Sequence, residues 1–130
     1  MNIKSNNNVE YCCKYQVVWC CKYRRKVLVG EVEQRLKELI YQAAADINVE
    51  IIEIQIMPDH VVLLVEVNPQ FGIHRAVKAI KAQTSRLLRS EFSSLRSRLP
   101  TLWTNSYFVS TMPGAPVSAI KKYVDRQKDV

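Results

Sequence analysis

Residues 52–67 constrain the fold more than any other stretch of the chain. Ile52, Ile54 and Ile56 alternate with Glu53 and Gln55, Pro58-Asp59 turns the chain, and Val61 to Val67 return as a run apolar on both faces. The first run has the period-two pattern of a half-buried strand, and the pair predicts a hairpin. A strand with no polar side belongs at the centre of a sheet, so the other elements must be arranged around it. Upstream, residues 11–20 read as a strand in which Tyr15, Val17 and Trp19 alternate with Lys14, Gln16 and Val18. After Gly30, Val32, Leu36, Leu39, Ile40 and Ala43 fall on one face of a helix over 31–46. Downstream, Asn68-Pro69 opens a second helix with a core stripe of Ile73, Val77, Ile80, Thr84, Leu87 and Leu88, and Pro100 ends that region. A short strand across Tyr107, Phe108 and Val109, a Pro113-Gly114-Ala115-Pro116 break, and a last helix with Val117, Ile120 and Val124 facing inward complete the series. The order β-α-β-β-α-β with a C-terminal helix predicts an α+β, ferredoxin-like split β-α-β domain with an antiparallel sheet.

The 130 residues suit a single domain over 1–130, with 1–9 a flexible N-terminal segment. That segment is polar and no run approaches a membrane span, so the expectation is a cytoplasmic protein with no membrane partner. Four cysteines form two vicinal pairs, Cys12-Cys13 and Cys20-Cys21, without the C-x-x-C spacing of zinc or redox motifs, and read as reduced strand residues. The net charge of +7 favours a polyanionic partner. One basic cluster, Lys14, Lys22, Arg24, Arg25 and Lys26, crowds the first strand and its exit; a second runs through Arg75, Lys78, Lys81, Arg86, Arg89, Arg96 and Arg98. Taken singly these are ordinary solvated residues, but together in so small a domain they favour nucleic acid. An RNA recognition motif is disfavoured, because the strand from His60 to Val67 carries no aromatic residue on which bases would stack.

His60 is the chemically distinctive residue of the hairpin. Side chains two apart on a strand share a face, so a metal site there would want a second ligand at position 62, which is valine. Tyr123 lies on the final helix with Gln127 one turn later on the same face, among Lys121, Lys122 and Arg126. Trp103 and Tyr107 are open to two readings, as stacking platforms for unpaired bases or as packing residues. His74 has no partner at a useful spacing and reads as structural or surface.

With these residues the chain resembles the single-tyrosine, HUH-type transposases of the smallest bacterial and archaeal insertion sequences, which move single-stranded DNA. The stretches that carry the resemblance are 15–20 with Lys22-Tyr23-Arg24-Arg25, 57–64 around Met57-Pro58-Asp59-His60, Leu102 to Phe108, and Ile120 to Gln127. The resemblance implies His60 as the first histidine of a histidine–hydrophobe–histidine motif, with Val62 where the second would stand. It implies Tyr123 as the nucleophile and Gln127 as a further metal ligand. The cofactor would be Mg²⁺ or Mn²⁺, weakly held or absent because of Val62, with Glu66 on the same strand face as a substitute ligand. Lys22, Arg24, Arg25, Lys78, Lys81, Arg86 and Trp103 are the expected DNA contacts. The implied partners are single-stranded hairpin DNA and a second copy of the chain, exchanging C-terminal helices. The implied activity is cleavage and rejoining of strands through a 5′-phosphotyrosine. The alternatives are a catalytically impaired or silent hairpin-DNA-binding relative and, from another class, a basic ferredoxin-like RNA binder.

Overall fold

The computed structural model describes residues 3–5, 10–128 and 130, so the expectation for residues 1–9 falls largely outside the described part. The main sheet has four antiparallel strands in the order β4-β5-β3-β6, formed by β3 (Lys14–Cys20), β4 (Glu50–Met57), β5 (His60–Glu66) and β6 (Phe108–Thr111). β5 is central, as its two apolar faces require. β3 and β4 run the same way and are separated by β5, which is the split β-α-β arrangement. Two-residue strands β1 (Lys4–Ser5) and β2 (Glu10–Tyr11) pair separately.

Helices α1 (Glu31–Asp46) and α2 (Ile73–Glu91) cover one face of the sheet. Their stripes, including Leu36, Leu39, Ile40, Val77, Ile80 and Leu88, bury Val17, Trp19, Val61, Leu63 and Val65 in the principal core. The opposite face carries the alternate residues, paired across the strands as Cys20 with His60, Val18 with Val62 and Gln16 with Leu64. On that face Val18 and Cys20 form a second apolar cluster with Tyr123 and Val124 of α4 (Val117–Asp125), flanked by Val62, Phe108 and Ile120. Among the described residues no helix is long and apolar enough to cross a membrane.

Several boundaries differ from the sequence expectation. The strand predicted over 11–20 is broken at Cys12-Cys13, where the chain passes from β2 into the main sheet. The second helix begins at Ile73 rather than at Asn68-Pro69. There the Asn68 side chain accepts the Gln70 N–H at 2.8 Å, a local turn that competes with helix, and Gly72 has φ 92°, so the helix starts only after it. A short helix, α3 (Ser93–Arg98), was not anticipated. β6 is displaced so that Tyr107 precedes it. Val117 does not face inward: it is the first residue of α4 and is 81% exposed, and Ile120, Tyr123 and Val124 make the contact with the sheet.

Candidate active site

The strand half of the site begins at the turn between β4 and β5. His60 is half-buried and lies opposite Cys20 on one side and Met57 on the other. Its Nδ1 is 2.7 Å from Oδ1 of the preceding Asp59, whose Oδ2 accepts the Nε–H of Arg24 at 3.1 Å. Burial works against the Asp59 charge, but the hydrogen bonds from His60 and Arg24 outweigh it and hold the carboxyl below its ordinary range. Val62 shares the His60 face, pairs with Val18 and Gln55, and packs into the cluster beneath α4.

The helix half is brought to the same face through Cys20, the cross-strand neighbour of His60 and a member of the Tyr123 cluster. Tyr123 and Gln127 are both buried, and one hydroxyl joins them: Ser106 Oγ is 2.9 Å from the Tyr123 phenol and donates to Gln127 Oε1 at 2.9 Å. A serine has one proton to give, so with that proton on Gln127 the phenol O–H is the donor to Ser106. Burial pushes the Tyr123 phenol above its ordinary range, against the smaller opposing pull of Ser106, Thr104 and Arg126. The same neighbourhood makes Cys20 inert, since burial raises its thiol to about 12.

The segment bearing Ser106 is fixed from beneath. Lys81 Nζ donates to the carbonyls of Thr104 at 2.7 Å and Ser106 at 3.0 Å, and burial lowers its pKa to about 8. The Thr104 N–H donates to Cys20 O at 3.0 Å, tying the segment to β3 as well. A cleft of about 430 Å³ opens beside it, lined by Lys78, Lys81, Trp103 and Tyr107 among others.

The model of the family described as "Transposase IS200 like" matches residues 9–127. The chain belongs to the IS200-like transposase family. It is 36% identical to the ISDra2 transposase TnpA of Deinococcus radiodurans over 99% of this chain and 94% of that relative. It is 27% identical to the transposase for insertion sequence element IS200 of Salmonella typhimurium over 95% of this chain and 82% of the other. A crystal structure of a transposase from Deinococcus radiodurans superposes with a TM-score of 0.89 at 32% identity, covering 98% of this chain and 99% of the other. A REP-associated tyrosine transposase bound to a REP hairpin shares the fold at a TM-score of 0.58 and 16% identity, covering 94% and 69%.

In this transposase three of the residues singled out in the sequence change standing. Trp103 is in the core, only 5% exposed: its ring meets Trp19 edge-on at 5.8 Å, and its indole N–H lies 3.2 Å from both Lys81 O and Thr84 Oγ1, so it packs against the helix and shows the cleft too little surface for a base to stack on. Lys81 is buried and committed to two carbonyls rather than extended as a basic arm. Glu66 shares the His60 face but lies six residues along the strand, about 20 Å at ~3.3 Å per residue, too far to complete a site at His60. Its carboxylate is buried, with Lys4 Nζ 3.9 Å away. Of the other expected DNA contacts, Arg25, Lys78 and Arg86 are exposed, while Lys22 and Arg24 are half-buried. Arg24, Arg25, Lys26, Lys128 and Tyr23 line an open basin of about 500 Å³. His74 does have a partner, the Tyr107 hydroxyl at 2.8 Å from Nδ1.

Proposed function

We propose that this transposase binds hairpin-containing single-stranded insertion-sequence ends and cuts and rejoins them through Tyr123. The observation that carries the reading is the presence of Tyr123 and Gln127, joined by Ser106, on the sheet face that holds His60. The Tyr123 phenol oxygen attacks phosphorus, forming the Tyr–O–P bond and breaking the P–O3′ bond; the phenol proton is lost and the departing oxygen becomes a free 3′-hydroxyl. Rejoining reverses the exchange, so no nucleotide cofactor is consumed. The retention of a phosphoester bond throughout is what a tyrosine nucleophile contributes over a water.

His60 and Gln127 are the donors that would hold a divalent cation, one through an imidazole nitrogen and one through the amide oxygen Oε1. Mg²⁺ or Mn²⁺ bound there supplies polarisation of the phosphoryl oxygens and in-line alignment of the scissile bond. The donor set fits such a cation weakly: Val62 offers no ligand, and among the described residues no group of three or more histidine, cysteine or acidic side chains is poised for a metal. Val62 therefore favours the second reading, a catalytically impaired relative that still binds hairpin DNA. A homodimer is the proposed assembly; exchange of C-terminal helices in it would remake between two chains the contacts that α4 and Gln127 make here within one. A covalent protein–DNA adduct on a denaturing gel, formed with a hairpin-bearing single-stranded oligonucleotide and Mn²⁺, tests the reading. Tyr123→Phe should abolish the adduct while leaving hairpin binding nearly unchanged; an adduct that survives moves the nucleophile elsewhere.

A further inference from the structure

Asp59 occupies the two-residue turn ahead of His60 and is buried. With Oδ2 engaged by the Arg24 guanidinium, its carboxylate is an acceptor only, so the 2.7 Å contact at Oδ1 must be a donation from the ring. The neutral His60 is thereby held as the Nδ1–H tautomer, with the Nε2 lone pair free. Arg24 also places Nη1 3.5 Å from Oδ1 of Asp125, the last residue of α4, which stands midway between Tyr123 and Gln127 in the sequence. One guanidinium thus spans the strand half and the helix half of the site.

The backbone is bent to put it there. Tyr23 and Arg24 have φ of 58° and 50°, a left-handed conformation that an L-residue adopts only at a cost. Such strain persists only where the surroundings over-determine it. Here the Cys21 N–H donates to Asp59 O at 2.9 Å and the Leu28 N–H to Pro58 O at 3.0 Å, stitching the turn around Arg24 to the turn around Asp59, while the Lys22 N–H donates to Leu102 O at 2.8 Å and anchors it to a second segment.

We propose that Asp59 and Arg24 are the positioning pair of this site, Asp59 fixing the tautomer of His60 and Arg24 fixing Asp59 while tying it to the end of the tyrosine helix. The role in metal binding rests on the reading of His60 as a ligand; the tautomer and the tether do not. Arg24 is then a strut between two carboxylates rather than a phosphate contact.

Long-range proton–nitrogen NMR of the metal-free full chain, in alkaline buffer where an imidazole is ordinarily neutral, reads the tautomer directly. His60 is told from His74 by the signal lost in His60→Gln. The wild type should show Nδ1–H. Asp59→Asn keeps the shape, but Arg24 claims the amide oxygen and turns the NH₂ toward the ring, so His60 should switch to Nε2–H. Mn²⁺ affinity should then fall about 10- to 100-fold, the usual cost of losing a group that orients a ligand. Arg24→Gln should leave the tautomer in place and speed amide exchange severalfold across residues 122–127. A wild-type Nε2–H ring, or one indifferent to Asp59→Asn, overturns the inference. Arg24→Gln that alters only the salt dependence of DNA binding returns Arg24 to a phosphate role and overturns the tether. If the tautomer switches as expected but His60→Gln leaves Mn²⁺ binding intact, the positioning pair stands and the ligand reading of His60 fails.

Discussion

Position 62 is where a single side chain decides most. Val62 lies on the His60 face and contacts the cluster around Tyr123, so an imidazole introduced there would join the face that carries the proposed donors. Val62→His should raise Mn²⁺ affinity by more than the roughly 10- to 100-fold that losing an orienting group costs in such sites, and should increase adduct formation in parallel. Electron paramagnetic resonance of free Mn²⁺ and the adduct gel check it; equal values for the two proteins would remove position 62 from the ligand set. The face shared by His60 and Val62 was legible because strand alternation is a strict period of two. The helical spacing expected for Tyr123 and Gln127 is not what joins them: α4 ends at Asp125, and Gln127 lies in the turn beyond it, its N–H donating to Val124 O at 3.1 Å, with Ser106 linking the two side chains. Ser106 was not legible: it lies in an irregular segment, and its contacts span 17 and 21 residues with no period to announce them. Asp59 was read only as a turn former, since its second task depends on Arg24, 35 residues away.

Among the elements, α2 departs most from its expected role. Its core stripe matches the expected one, but Lys81, expected on the basic flank, sits four residues after Val77 and seven before Leu88, on the buried side. That spacing was the available signal, and a lysine's usual place in solvent hid it. Lys81 fastens α2 to the segment carrying Ser106, and burial lowers its pKa to about 8. A depressed pKa means that the unfolded chain holds the proton more tightly, so the contribution of Lys81 to stability rises with pH between about 8 and 10.5 and is lost as pH falls through the lower value, while the buried Cys20 thiol, raised from 9.0 to about 12, contributes with the opposite sign above about 9. Lys81→Met should flatten that rise, read as the urea midpoint at a series of pH values; an unchanged profile would mean the ammonium is better solvated than its contacts imply. The start of α2 at Ile73 and the break at Cys12-Cys13 were missed for a different reason. Side-chain turns and glycine geometry act locally and leave hydrophobic periodicity untouched.

For the molecule as a whole, the net charge is +7, and exposed basic residues gather around the open basin of Arg25, Lys26 and Lys128 and along α2 at Arg75, Lys78 and Arg86. Hairpin binding should therefore weaken steeply with salt, each phosphate contact contributing about −0.7 to the log–log slope on single strands. Replacing Arg25 and Lys26 together should make the slope shallower by about one unit or slightly more without unfolding the domain, as measured by fluorescence anisotropy; an unaltered slope would exclude the basin from the DNA path. Sedimentation at micromolar concentration should give a dimer, and a monomer would remove helix exchange from the proposed assembly. Burying a valine is worth about 1.5–3 kcal/mol when complete, and half-buried Val62 spends its share holding the tyrosine helix against the sheet. A histidine at this position would surrender part of that grip for a ligand, so thermal robustness and the proposed metal binding set opposite demands on position 62.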